Sequence, residues 1–515
     1  MYTERQTMTK TRLDTARLRL LPEEDLLPEE DGEELAAPSC CHRGCSSGTL
    51  LVLPTLLFQV VALGMLTPIL PGLTSDYCNG DTGKASRLQG ASDSVCAALG
   101  FLGTGVIGAL SDRWGRRPFF IAMAVGMALP YFALALAPSH MLLFYALRAA
   151  AGLVCGGSKY INFSLLCTFL ADCYGPAERT VQFGAIFGAV YLGSALSPLV
   201  NVLPRSSDAA ANTAIFTAAA VLCAANIAYC VLVLPESRPL ASRQAAAARD
   251  AAARDAAAAR GSGGRLRWWC KQVSPWEPLR FLVAAAPTGS DSAAAAHHAQ
   301  TKKVLRQLGL VAFLGSLPES GILDVSLYYL KAKLGFGRDL NGWLFFGFGL
   351  VGLLAQTLGL RVALGNGGAG RMKYLLAVAL LMEALHFLVY AWSTRTWEPF
   401  IAIGLAALYL LSTPALNGIV TLLLSGEEQG LGLGVLGSLK ALCGCFGPSM
   451  FTGLYSVGKG MSPPFPELPF YVSAAFALAA CAVAATLPVA DAASSAVAAE
   501  QEAEHGGGPL RRRRR

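Results

Sequence analysis

The feature that most constrains this chain is a succession of apolar blocks, each of about twenty residues or more, recurring from residue 49 to residue 488. A bilayer core of about 30 Å takes about 20 residues of helix to cross. Twelve such blocks can be marked, at roughly 50–72, 91–110, 118–137, 141–170, 181–203, 211–234, 305–330, 341–363, 372–392, 397–424, 430–456 and 468–488. Lipid offers no partner to a free backbone N–H or C=O, so a spanning segment is a helix or a strand of a closed barrel. Barrel strands alternate in polarity over about ten residues, and these blocks do not. The expected fold is an all-α membrane protein with twelve transmembrane helices. Composition agrees, because 54% of residues are hydrophobic and only 15% charged, against about 25% charged in a soluble domain. So little charge cannot cover a water-facing surface, which excludes a soluble enzyme and a nucleic-acid binder.

The segments between blocks set the organisation. Residues 1–48 form an acid-rich tail (Glu23, Glu24, Asp25, Glu29, Glu30, Asp31) without an apolar signal-peptide core, so the first span is expected to direct insertion itself. Residues 49–235 hold six spans and 305–488 six more. Between them, 236–304 carries the run ARDAAARDAAAAR, which reads as a linker with a surface-seeking helical piece. Residues 489–515 are a tail ending in Arg511–Arg515, suited either to lipid headgroups or to water. Lys and Arg near the ends of the central segment tip the balance toward both termini being cytosolic, without choosing between plasma membrane and endomembrane.

Of the 14 cysteines most lie inside apolar blocks, where they act as small hydrophobes rather than a disulfide framework. Cys40, Cys41 and Cys45 beside His42 read first as residues without a special role, next as an acylation site and last as a metal site. The histidines are His42, His140, His297, His298, His386 and His505, and no span holds two. Neither a nucleophile–base spacing nor a metal-ligand spacing is present, so the expectation is no enzyme, no metal and no cofactor. Asn162-Phe-Ser164 has the form of a glycosylation acceptor but falls within a span.

The two groups of six spans look like copies. An offset of 250 residues superposes Pro68 on Pro318, Gly115 on Gly365, Glu178 on Glu428, Gly184 on Gly434 and Pro198 on Pro448. The expected architecture is two pseudo-symmetric six-helix halves.

Between the second and third blocks stands Gly108-Ala-Leu-Ser-Asp112-Arg113-Trp-Gly115-Arg116-Arg117. Gly108 suits close helix approach, and Asp112 could meet the positive N-terminus of another helix. Gly115 allows a tight reversal, and the arginines can pair with acids on neighbouring loops. The loop resembles the signature of the major facilitator superfamily at every constrained position. Further matches are Ala171-Asp172, Glu178-Arg179, Leu234-Pro-Glu236-Ser-Arg238, Leu317-Pro-Glu-Ser-Gly321, Ala355-Gln-Thr357 and Gly447-Pro448. Together they resemble the hippocampus-abundant-transcript branch, which is related to the tetracycline efflux pumps. Ser197-Pro198 stands where drug–proton antiporters carry Gly-Pro, whereas Leu143, Arg148 and Gly152 follow the antiporter spacing of span four. Pro-Glu-Ser-Arg also resembles sugar porters, whose other span-seven motifs are absent. The resemblance implies two halves rocking around a midplane cavity, with the loop of Asp112 and Arg116 locking the cytosolic side against Asp172 and Glu236.

Four blocks carry polar residues one helical turn apart, hence on one face. These are Thr55 and Gln59 in span one; Arg148, Cys155, Lys159 and Asn162 in span four; Ser316, Ser320, Asp324, Tyr328 and Lys331 in span seven; and Thr413, Asn417 and Thr421 in span ten. In the resembling fold these helices line the cavity. Candidate substrate contacts are therefore Gln59, Arg148, Lys159, Asn162, Ser320, Asp324, Tyr328, Thr413 and Asn417. Charges inside a membrane are costly and usually serve a pathway or pair internally. Glu319 and Asp324 are candidate proton carriers, Glu319 alternatively pairing with Lys440. Glu383 and His386, on an outer helix of the resembling fold, read as packing or lipid-rim residues.

The expected function is transport of a small organic solute by a monomer in the bilayer, proton-coupled or as an uncoupled, sugar-porter-like facilitator. The alternative is a membrane receptor or scaffold that retains the fold without transporting.

Overall fold

The computed structural model describes residues 48–155, 163–174, 176–201, 208–258, 274, 279, 292–359, 369–423 and 426–487. Among them the chain is helical and contains no strand. The helices are α1 (Gly48–Leu66), α2 (Leu70–Tyr77), α3 (Thr82–Trp114), α4 (Arg117–Leu136), α5 (Met141–Cys155), α6 (Phe163–Cys173), α7 (Pro176–Leu196), α8 (Asp208–Leu232) and α9 (Leu240–Ala258). After the central segment come α10 (Ser292–Leu334), α11 (Arg338–Leu354), α12 (Ala369–Trp392), α13 (Pro399–Tyr409), α14 (Ser412–Leu423), α15 (Gly426–Gly460) and α16 (Leu468–Ala485).

Among the described residues nine helices are long and apolar enough to cross a membrane, and α3 makes ten when its two arms are taken as one span. The large apolar side chains left exposed on them, such as Leu136, Val221, Leu232 and Leu358, have lipid as their natural surroundings. Expected spans four and five coincide with shorter apolar helices, Met141–Val154 and Ile186–Leu199.

Helix starts follow local chemistry. Pro sits in the first turn of α2, α4, α13 and α16, where its missing N–H costs nothing. The Asp81 carboxylate accepts from the N–H groups of Gly83 (2.9 Å) and Lys84 (3.2 Å) and caps α3. That cap lets α3 begin nine residues before the expected apolar block at 91. Its polar first turns are buried against protein rather than water, with Ser86, Gln89, Ser92 and Asp93 all under 9% exposed. The expected first span, 50–72, is broken at Pro68 into α1 and α2, whereas Pro318 and Pro448 lie inside continuous helices. The helical piece expected in the linker is α9.

Buried apolar residues form four clusters. Two draw all their buried members from residues 52–234. The other two draw theirs from residues 304–487, with Ala85 the single member from before the central segment. Direct links between the two sets of helices gather toward the Asp81 end of α3. Ser449 N donates to Ser94 Oγ (3.0 Å), Ser449 Oγ to Gly90 O (3.3 Å) and Lys459 Nζ to Thr82 Oγ1 (2.8 Å). Lys459 also approaches Asp81 at 3.7 Å, and Asn341 Nδ2 donates to Pro68 O (3.2 Å).

Candidate functional site

A polar cavity of about 210 Å3 opens between α7 and the helices that follow the central segment. Phe187 and Tyr191 of α7 form one wall. Glu319 of α10, Gln356, Glu383 of α12, Tyr409 of α13, Thr413 and Asn417 of α14, and Lys440 of α15 line the rest. Glu319 is exposed into this space while Glu383 is only 4% exposed. The Lys440 ammonium donates to Thr413 Oγ1 at 2.8 Å. Gln356 Nε2 donates to Leu410 O (3.0 Å), the carbonyl at the joint between α13 and α14. A cluster of two carboxylates, one ammonium, amides and phenol rings within an apolar bundle can hold a polar solute by charge, hydrogen bonding and ring contact.

A second buried polar network lies nearer the Asp81 end. Arg148 of α5 grips Asp93 of α3 with two bonds, Nε to Oδ1 at 2.8 Å and Nη2 to Oδ2 at 3.4 Å. Both are almost wholly buried, and Arg148 also feels the Asp324 carboxylate. Gln89 of α3 donates to Asp324 of α10 (2.8 Å), and Tyr328 donates back to Gln89 Oε1 (2.8 Å). Tyr145 shares a 2.6 Å bond with Thr74 and lies beside Tyr328. The network therefore stitches α2, α3 and α5 to α10.

At the opposite end of α3 the loop around Asp112 is held by a dense set of ionic contacts. Gly115 reverses the chain at φ +96°. Arg116, 4% exposed, reaches Asp112 (2.7 Å), Asp172 (3.0 Å) and Ser111 Oγ (2.6 Å). Asp112 also pairs with Arg238, and Asp172 accepts from Ser237 Oγ at 3.1 Å. The Arg117 guanidinium caps the end of α8 through the carbonyls of Cys230 and Val231. Arg113 pairs with Asp250 of α9, while Arg243 donates to Trp114 O at 3.0 Å.

Two expectations about this loop need correction. The carboxylate at the helix N-terminus belongs to Glu236, which accepts from the N–H groups of Arg116 (2.7 Å) and Arg117 (3.1 Å) at the start of α4. Asp112 sits at a helix C-terminus and pairs with cations instead. Gly108 is not at a close approach either, since a Cβ added there meets open space.

The expected substrate contacts separate into groups. Thr413 and Asn417 line the cavity with Glu319. Asp324 and Tyr328 face Gln89 instead, and Arg148 faces Asp93. Ser320 donates to backbone carbonyls of Leu317 (2.7 Å) and Cys443 (3.1 Å). Gln59 is 4% exposed, and its amide has no hydrogen-bond partner among the described residues. Lys159 and Asn162 lie outside the described residues. Glu383 belongs to the cavity wall rather than to packing or the lipid rim, whereas His386 Nδ1 donates to Ala402 O (2.8 Å) inside an aromatic cluster. Glu319 and Lys440 share the cavity, but no contact within 4 Å pairs them among the described residues. Asp93 was legible by the criterion that marked Arg148, a charge within an apolar block. Tyr191 and Tyr409 carry no such mark, because aromatic residues are ordinary members of such blocks.

Comparison with known proteins follows the same lines. The model of the Major Facilitator Superfamily matches residues 52–316. The chain is 23% identical over 435 residues to human hippocampus abundant transcript-like protein 1, covering 84% of this chain and 75% of that protein. It is 24% identical over 411 residues to the class C tetracycline resistance protein of Escherichia coli, covering 80% and 90%. The crystal structure of the human organic anion transporter MFSD10 (TETRAN) superposes with a TM-score of 0.58 at 22% identity, covering 86% of this chain and all of that one.

Proposed function

Because the chain belongs to the major facilitator superfamily, we propose that it is a secondary transporter moving a small organic solute by alternating access. It is a multi-pass membrane protein of a transporter family. In the proposed architecture twelve spans form two six-helix halves, residues 49–235 and 305–488, joined by the 236–304 linker. Both tails, 1–48 and 489–515, lie in the cytosol. The protein works as a monomer in the bilayer, without catalysis, metal or cofactor.

The observation that carries this reading is the cavity, polar inside an apolar bundle and lined from both proposed halves, by α7 on one side and α10 to α15 on the other. The partition of the buried core on either side of the central segment supports two bodies able to rock. The ties between Asp81, Thr82, Ser94 and the Ser449–Lys459 stretch support a conformation closed on the outer side. The Asp112–Arg116–Asp172–Glu236 set then holds the inner ends of the first half together as the gating loop.

Proton coupling is the finer part of the proposal. Glu319 and Glu383, which face the cavity, are the carboxylates in position to trade a proton for solute. Asp324, bonded to Gln89, serves in closure. Flux in proteoliposomes, with and without a pH gradient, tests both levels. Solute flux driven by the gradient is expected. Flux indifferent to it makes the protein a facilitator, and solute-induced thermal stabilisation with no flux at all makes it a receptor.

A further inference from the structure

Among the described residues two carboxylates and one ammonium line the cavity. Resting on the transport reading above, we propose that the solute is a small organic monocation, bound with its charge between Glu319 and Glu383 and its apolar body against Tyr191 and Tyr409.

Few charged side chains face the cavity among the described residues. Two carboxylates, Glu319 and Glu383, line it, and Lys440 is the single ammonium that does so among the described residues. Lys440 is turned to Thr413, which it reaches at 2.8 Å. The buried arginines line other networks, Arg148 engaged by Asp93 and Arg116 by Asp112 and Asp172. One ammonium compensates one carboxylate. Glu383, 4% exposed and lining the same space as Glu319 and Lys440, is the acid a cationic solute would best satisfy. An anionic solute would meet more carboxyl groups than ammonium groups, and unfavourable contacts with a competitor are a second source of specificity.

The rest of the lining fits the same ligand. Phenol rings from α7 and α13 line the space, and the face of such a ring attracts a cation. Gln356 and Asn417 supply neutral polar edges that do not demand a further charge. A volume of about 210 Å3 is below the roughly 300–1,000 Å3 of drug-sized pockets, so the body is compact.

Two probes of nearly equal size and opposite permanent charge separate the possibilities: phenyltrimethylammonium and benzenesulfonate. The full chain is reconstituted in proteoliposomes, and uptake of each radiolabelled probe is followed alongside thermal stabilisation of the purified protein. The cation is expected to enter at least tenfold faster than the anion and to be the one that stabilises. Glu383→Gln should lower cation uptake at least tenfold, and Glu319→Gln provides the same reading should Glu383→Gln fail to fold as a monodisperse protein. Equal or faster uptake of benzenesulfonate overturns the cation assignment and leaves transport standing. Movement of neither probe, with no stabilisation by either, overturns both.

Discussion

Gly115 turns the chain between α3 and α4 at φ +96°, and a Cβ built there would run into the Glu236 carboxylate. That carboxylate also caps α4 through the N–H groups of Arg116 and Arg117. Gly115→Ala therefore acts twice. At φ +96° and ψ +168° the backbone lies in a region nearly confined to glycine, which costs another residue about 1–3 kcal/mol, and displacing the cap costs about 1 kcal/mol more. Thermal unfolding in detergent should show this loss, and an unchanged midpoint would mean the loop relaxes freely. At the other end of α3, Asp81 has its carboxyl held below the usual range, first by the Lys84 N–H and then by the Gly83 N–H and Lys459. A depressed folded value means the contribution is complete above the ordinary Asp value of about 4 and is lost only as pH falls through the lower folded one. Asp81→Ala should destabilise by about 1 kcal/mol at neutral pH. The gap from the parent should close under acid, as parallel melts at pH 7 and at strongly acid pH would reveal.

Helices meet in this chain through polar side chains that a linear reading assigns to water or to solute. Apolar runs marked the nine helices that, among the described residues, are long and apolar enough to cross a membrane, because lipid exposure demands such runs. They underestimated α3 and α10, whose polar turns are satisfied by other helices. Arg148 illustrates the limit. Its charge inside an apolar block was visible, but nothing in sequence joins residue 148 to residue 93, so a cation clasped between α5 and α3 read as a cavity residue. The pair defines an element-scale prediction. Removing one member of a buried ion pair typically costs about 3–5 kcal/mol, because the other charge is left uncompensated. Arg148→Met should unfold at markedly lower denaturant or temperature. Adding Asp93→Leu should recover much of that loss, and a double variant no more stable than the single would deny that the two residues act as a pair. Glu383 errs in the opposite direction, since a residue assigned to packing by its helix forms part of the cavity wall. Helix order says which element is outermost but not how each side chain is turned. The 250-residue repeat is likewise only partly kept in helical form. Pro68 breaks one helix and Pro198 sits in a 3-10 turn, while Pro318 and Pro448 pass through continuous helices.

At the scale of the whole molecule, alternating access requires that contacts between the two sets of helices at the Asp81 end come apart in each cycle. Ser94 of α3 and Ser449 of α15 touch there at 3.0 Å, close to the Gly90 carbonyl that Ser449 also meets. A covalent bond at this point would hold the end shut without entering the cavity, whose lining includes neither serine. In Ser94→Cys/Ser449→Cys, oxidation to a disulfide should lower proteoliposome flux at least tenfold, and reduction should restore it. The parent chain has 14 cysteines of its own, so its flux under the same oxidant is the control and should not change. Thermal stabilisation by solute should survive in the oxidised variant, because closure at the Asp81 end leaves the Glu319–Lys440 cavity intact. Undiminished flux with the disulfide fully formed would mean that these helices never part at that end, and a rocking mechanism could not then operate around this cavity.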